Sequence, residues 1–399
     1  MNTARLLLAY LGARPLAALL TVLLVALGIG TMVAVTLVTG QAQQRMSRDA
    51  AGIDLVVGAK GSPLQLVLAG VYHLDVPPGN VPFTALAELR ANRMVAQAIP
   101  LSLGDSLNGF RIVGTEPSFL ALHGARLAQG AVFAEPMQAV LGARVARDTG
   151  LAPGARFAGS HGLTPGGPVH DDFLYTVTGI LAPTGGVIDR LVLTPLESVW
   201  IVHEGEPADE VERAVLEAER EVTLILLRYG SPLAAATLPR SVNASDRLQG
   251  ASPAIESARL FNLVGLGVDG IRAFGAVLLA TAALSVFVAL FRALSDRRRE
   301  LALMRLLGAS PARLFALLLL EGLLLTAIGV VIGTALGHVA VEVAGRWLSP
   351  RGEWTLTGFD FDTIQWGFAA AALALGALAA LGPAVRAART PLAGALSDH

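Results

Sequence analysis

Four stretches of this chain are each long and apolar enough to cross a lipid bilayer, and every other part of the sequence has to be arranged around them. A transmembrane helix needs about 20 apolar residues at about 1.5 Å of rise each. Leu16 to Val38 lies in an uncharged interval between Arg14 and Arg45, and Ala273 to Phe291 is bounded by Arg272 and Arg292. Leu314 to His338 carries one acid, Glu321, and Thr363 to Val385 runs uncharged from Asp362 to Arg386. Charged residues make up 15% of the chain, against roughly a quarter in ordinary soluble proteins, which agrees with an apolar solvent. The expected fold is an α-helical polytopic membrane protein with four transmembrane helices and a mixed α+β extracytoplasmic domain between the first and second. The first run is too long for a signal-peptide core and its exit lacks a clean A-x-A site, so it reads as an uncleaved anchor.

Arginine sets the expected orientation, because short loops rich in Lys/Arg stay in the cytoplasm. The 292–313 connection holds Arg292, Arg297, Arg298, Arg299, Arg305 and Arg313 against Asp296 and Glu300. The 342–362 connection is acidic, with Trp347 and Trp354 placed as an interfacial belt. Both termini are then cytoplasmic. The expected order is a cytoplasmic tail (1–15), a first span (16–39), the outer domain (40–251), and a stalk with the second span (252–291). A cytoplasmic loop (292–313), a third span (314–340), a short outer loop (341–362), a fourth span (363–385) and a second cytoplasmic tail (386–399) follow.

Within the outer domain, β-branched and alternating runs predict strands at 53–57, 95–103, 111–113, 173–181, 191–193 and 221–229. Helices are expected at 84–92, at 138–149 ending on Gly150, and at 207–220. The stretch 152–171 is rich in Gly and Pro and reads as a loop or surface insertion. Antiparallel pairing is expected, since helices do not alternate regularly with strands. Ser252-Pro253 reads as a cap and first helical position, opening a helix that runs toward Leu307, with Gly265, Gly267, Gly270 and Gly275 as a plausible hinge.

Several chemistries find no support. A net charge of −1 argues against nucleic acid as a partner, and the absence of cysteine excludes thiolate chemistry and disulfides. Gly58-Ala59-Lys60-Gly61-Ser62 lacks the spacing of a P-loop and reads as a glycine turn or a hinge, so ATP hydrolysis is expected elsewhere. His161, His170, Asp171 and Asp172 offer metal-ligand atoms, but their spacing matches no metal motif and they read as a polar loop. His73, His123, His203 and His399 read as isolated. No nucleophile elbow or acid/base carboxylate pair is present, so no enzyme chemistry, cofactor or metal is assigned to this chain.

Three features of the spans remain. Glu321 is costly in a membrane and fits interfacial pairing with an arginine, a coupling or dimer-interface role, or a proton relay. Gly329, Gly333 and Gly337 form a double G-x-x-x-G ridge that admits a close helix, within the chain or in a dimer, and the small residues Gly367, Gly376 and Gly382 make the fourth span its expected partner. The basic loop leads into Leu301-Ala302-Leu303-Met304-Arg305-Leu306-Leu307, broken by Gly308-Ala309, before Ser310-Pro311 restarts a helix. Such a segment can lie on anionic lipid, or it can dock Leu303, Met304 and Leu307 in a groove of a cytoplasmic partner.

The run Arg298-Arg299-Glu300-Leu301-Ala302-Leu303-Met304-Arg305-Leu306-Leu307-Gly308-Ala309-Ser310-Pro311 resembles the signature loop of MacB/FtsX-type ABC transporter permeases. Leu319-Leu320-Glu321-Gly322, Ile328-Gly329 and Ile332-Gly333 resemble that family's third span, and one span, an outer domain and three more spans repeat its layout. The resemblance implies a multi-pass protein of the bacterial inner membrane with a MacB-like periplasmic domain and an FtsX-like domain, working as a dimer with a second permease copy or paralogue. It also implies a separate cytoplasmic ABC ATPase dimer that binds the ATP and Mg; MacB itself carries that domain on one chain, whereas here a short tail precedes the first span. By the same resemblance, Arg298, Arg299, Glu300, Leu303, Met304, Arg305, Leu307 and Gly308 form the coupling helix. Family members extrude lipoproteins, lipids, peptides or drugs, or instead act by mechanotransmission on a periplasmic partner such as a cell-wall hydrolase. Membrane lipid and a periplasmic adaptor or cargo protein are the further partners implied.

Overall fold

A computed structural model describes residues 15–162, 167–204, 210–296, 303–348 and 356–389. The chain forms two compact units, one of Gln43–Asn262 and one of Met1–Ala42 with Leu263–His399. Helix α1 (Pro15–Asp49) begins the membrane unit and ends in the α/β unit.

The α/β unit continues with β1 (Leu55–Ala59), α2 (Pro63–Gly70), β2 (Val81–Pro82), α3 (Thr84–Ala91), β3 (Val95–Leu107), β4 (Phe110–Thr115) and α4 (Ser118–Leu122). Then follow β5 (Leu127–Gly130), β6 (Gln138–Leu141), α5 (Ala143–Thr149), β7 (Arg156–His161), β8 (Val169–Leu181) and β9 (Val192–Pro195). It closes with α6 (Leu196–Glu204), α7 (Glu210–Glu219), β10 (Glu221–Val222), β11 (Leu224–Tyr229), α8 (Pro232–Asn243) and β12 (Leu248–Ala251). Ten strands make one sheet in the order β12-β1-β11-β3-β4-β9-β6-β8-β5, with β7 joined to β3 and β8. Pairing is antiparallel except at β4/β9 and β6/β8.

Successive residues of the central strands point to opposite faces. Val56, Leu224 and Leu226 enter one core with Leu66 and Val67 of α2, while Leu55, Val57, Ile225 and Leu227 enter another with Leu86 of α3 and Leu238 of α8. Both faces are therefore covered, and the strands read as continuous apolar runs rather than alternating ones. Met46 near the end of α1 belongs to the first core, and Leu260 and Phe261 pack against it.

Two sequence expectations are corrected here. Residues 138–149 are not one helix: Gln138–Leu141 is a strand between β8 and β9, and the helix starts at Ala143. The Ala-Val-Leu run is fully buried in the sheet, and that tertiary burial outweighs its helix propensity. The stretch 152–171 is not a loop throughout, since β7 alternates Phe157 and Gly159 inward and pairs with β8, leaving residues 163–166 outside the described set. The Gly58–Ser62 segment is the turn expected: it leaves β1, Ser62 caps α2, and Lys60 donates to the carbonyls of Asn243 and Ser245.

The membrane unit completes itself with α9 (Pro253–Asp296), α10 (Pro311–Leu348) and α11 (Ile364–Ala388). Together with α1 these are four helices long and apolar enough to cross a membrane. Helix α9 runs 44 residues and stays helical through Gly265, Gly267 and Gly270. Its most apolar window is only 28% buried within the chain, as is that of α11, so lipid or another protein has to cover the rest.

Candidate functional site

The bundle is built on close backbone approach. A Cβ at Gly329 would stand 2.6 Å from Val25 Cβ, one at Gly333 would stand 2.6 Å from Ala26 O, and one at Gly337 would stand 2.8 Å from Gly30 O. The ridge of α10 therefore packs on α1. This corrects the expectation that α11 supplies its partner surface: among the α11 glycines, Gly376 faces Thr326, Gly382 faces the Phe287 ring at 3.2 Å, and Gly367 meets nothing within 4 Å. Gly28 and Gly275 bring α1 against α9 in the same way, and Thr21 Oγ1 and Ser285 Oγ share a hydrogen bond of 2.9 Å between those helices. Glu321 is buried in the bundle, beside Gly322, whose Cβ would lie 2.9 Å from Ala380 of α11.

At one end of the bundle, residues 356–362 are tied down by side chains. Gln41 Nε2 donates to Thr357 O at 2.7 Å, Thr357 N donates back to Gln41 Oε1 at 2.9 Å, and Gly358 N donates to Glu342 at 3.0 Å. His338 bridges Gly358 O and Gln365 Oε1. The other end carries the expected coupling segment.

Of that segment, Arg298, Arg299 and Glu300 lie outside the described residues. Residues 303–306 form one helical turn, closed by Gly308 N to Arg305 O at 3.1 Å and Ala309 N to Met304 O at 2.9 Å. This is a Schellman motif, which requires a left-handed residue, and Gly308 supplies it at φ 92°. Ser310 Oγ then accepts from Arg313 N and starts α10. Met304 packs inward against the cluster of Leu290, Leu294, Leu314, Leu318 and Ala384. Leu303 and Leu306 are more than half exposed, and Leu307 is 88% exposed. The sequence grouped Met304 with Leu303 and Leu307 on one docking face, but Met304 is the anchor, and Leu306 joins the exposed leucines in its place.

A second cluster was missed because its members are distant in sequence. The β3–β4 register shifts between Leu103 and Ser106, and this bulge turns Asp105 into the domain beside its partner across β7, His161. His161 Nδ1 lies 3.2 Å from Asp105 Oδ1, His170 Nε2 of β8 lies 3.6 Å from the same oxygen, and His203 Nε2 of α6 lies 3.3 Å from Oδ2. The three imidazoles meet edge to face, with centroids 5.3–5.9 Å apart. Asp171 and Asp172 are exposed and take no part in it. Burial opposes charge on Asp105, yet the adjoining His203, followed by His170 and His161, more than offsets it and holds the carboxyl below its usual pKa. Asp105 in turn raises the pKa of His203. His203 is therefore not isolated, and no local spacing could have revealed it; only the β3–β7 register does.

His73 and His123 are not isolated either. They flank Phe119 of α4, both edge-on to its ring, and burial pushes His73 well below the ordinary imidazole value and His123 down to about 4.

Four membrane-crossing helices with an α/β domain inserted after the first define an integral membrane protein of permease type. Residues 18–242 match the MacB-like periplasmic core domain and residues 272–391 match the FtsX-like permease C-terminal family. The chain belongs to the MacB/FtsX-type ABC transporter permeases. Among solved structures it is similar to the periplasmic region of MacB from Actinobacillus actinomycetemcomitans, at 12% identity over 54% of this chain and 96% of that one, with a TM-score of 0.36. It is also similar to the extracellular domain of the noncanonic ABC-type transporter YknZ from Gram-positive bacteria, at 12% identity over 50% and 99% of the two chains, with a TM-score of 0.31. No curated protein matches the chain.

Proposed function

We propose that this chain is the membrane subunit through which a separate cytoplasmic ABC ATPase moves an extracytoplasmic domain, releasing an amphipathic cargo such as a lipoprotein, lipid, peptide or drug. The observation that carries this reading is the turn at 303–308. Exposed leucines on a turn anchored by Met304 into α9, α10 and α11 are what a docking contact needs: an apolar surface for the partner and a rigid path into the spans. Arg298, Arg299 and Glu300 would add charge at the rim. ATP and Mg would be held by the ATPase, with this chain non-catalytic.

The path continues through α1 and α9. Met46 and the Leu260–Phe261 pair belong to the core of the α/β unit, while the same two helices pack together through Gly28 and Gly275. A change of angle between the spans would thus pull on that core at two points. In this reading the protein sits in the bacterial inner membrane with both termini cytoplasmic and the α/β domain outside, and a second permease copy covers part of the bundle. Glu321 would serve packing between α10 and α11.

The test is reconstitution with the ATPase encoded beside this chain. Leu303→Asp with Leu307→Asp is expected to abolish ATPase association and ATP-dependent release of a fluorescent lipopeptide from proteoliposomes, while the wild type supports both. Wild-type association and release in the double variant would sink the proposal. ATP-dependent activation of an outer hydrolase with no release would replace cargo extrusion by mechanotransmission.

A further inference from the structure

We propose that Asp105, His161 and His203 form a metal site on the outer domain for a single divalent transition ion of zinc type, with His170 as the fourth protein donor. One ligand atom from each of the first three lies within 4.8 Å of the other two. In a tetrahedral site with metal bonds of about 2.0–2.1 Å, neighbouring ligand atoms are about 3.3–3.4 Å apart. His161 Nδ1 stands 3.2 Å from Asp105 Oδ1 and His203 Nε2 3.3 Å from Oδ2, close to that edge length, while His170 Nε2 stands farther off, 3.6 Å from Oδ1.

Hydrogen bonding alone does not account for the cage. Only the His161 contact is an aligned hydrogen bond; His203 Nε2 meets Asp105 Oδ2 at 3.3 Å as an ion-pair contact, and His170 Nε2 is a buried atom with no aligned hydrogen-bond partner. The Asp105 side chain is only 2% exposed and three imidazoles converge on it, so a buried negative charge sits at the floor of the cluster where a bound cation would be favoured. His161 and His203 are exposed enough for an ion to reach them from solvent.

The donor set selects the ion. Three imidazoles and one carboxylate suit borderline d-block ions, whereas Ca²⁺ and Mg²⁺ require shells of oxygen. The frame is also rigid. Ser198 Oγ on α6 accepts from Met137 N and Thr194 Oγ1, and Trp200 Nε1 donates to Glu221 O, so α6 presents His203 from a fixed position. An ion here would tie β3, β7, β8 and α6 together, independently of the cargo the permease handles.

The experiment uses the full chain in detergent with a tag that carries no histidine, stripped with chelator and titrated with Zn²⁺ alone. We expect one Zn²⁺ per chain by elemental analysis, a raised melting temperature with Zn²⁺ but not with Mg²⁺ or Ca²⁺, and a Co²⁺ derivative whose ligand-field spectrum is four-coordinate. His161→Ala and His203→Ala should weaken binding by about 100-fold or more and His170→Ala by about 10-fold, against the roughly 10–100-fold that loss of an outer-shell partner costs. His161 is exposed, so its variant will fold even where Asp105→Ala does not. Failure of the wild type to retain zinc, or wild-type zinc affinity in His161→Ala and His203→Ala, would overturn the site.

Discussion

The glycines of the membrane unit separate into two physical kinds. At Gly333 a side chain would meet the Ala26 carbonyl oxygen at 2.6 Å and Ala26 Cα at 2.9 Å, backbone that has nowhere to go. At Gly265 and Gly267 it would meet nothing within 4 Å. Gly333→Leu is therefore expected to force α1 away from α10 and cost about 1–3 kcal/mol or more as overpacking, read as a fall in melting temperature in detergent. Gly265→Ala and Gly267→Ala should each gain about 1 kcal/mol of helix stability and raise it. If these alanine variants are stabilised yet lose ATP-dependent activity, the helix bends there in the working cycle, as the hinge expected from sequence requires. The G-x-x-x-G spacing was legible as a ridge, but spacing states only that some backbone comes close. Which helix supplies that backbone is a property of the bundle, and it is α1.

At the scale of an element, α4 illustrates how burial tunes charge. Its Phe119 is fully buried between His73 and His123, and burial lowers both imidazole pKa values below the usual 6.5 or so. The unfolded chain then binds more protons than the folded one below that value, so stability rises with pH. It is complete above about pH 6.5 and is lost as pH falls toward the folded values, about 4 for His123. The shift at His123 alone bounds the effect at about 3 kcal/mol, less whatever solvent screens at its exposed edge. His123→Gln is expected to flatten the decline of melting temperature between pH 7 and 4.5; an unchanged slope would place the acid sensitivity elsewhere. The stronger strands β1, β3, β4, β8, β9 and β11 were legible because each contains a β-branched or aromatic run. Strands β5, β6, β7 and β12 were not, since runs such as Arg-Phe-Ala-Gly-Ser-His acquire strand geometry from a neighbour rather than from propensity. The Asp105 cluster depends on one of those hidden pairings, so it was hidden with them.

At the scale of the whole molecule, the composition of the loops carries a physical bias on which side of the membrane each faces. Six arginines in the 292–313 connection, against two acids, would hold that connection in the cytoplasm and put the α/β unit outside. The chain has no cysteine, so single introduced thiols report without background. Glu217 on α7 has a side chain 54% exposed and Leu307 is 88% exposed, so both positions are reachable once their compartment is open. A membrane-impermeant maleimide added to spheroplasts is expected to label Glu217→Cys at once and Leu307→Cys only after the membrane is broken. The reverse order would invert the orientation and remove the leucine turn from the reach of any cytoplasmic ATPase. With the order as expected, adding the ATPase subunit to broken membranes should slow labelling of Leu307→Cys and leave Glu217→Cys unchanged. That difference requires the partner to cover the turn itself, because a general change in the bundle or the detergent shell would alter both rates.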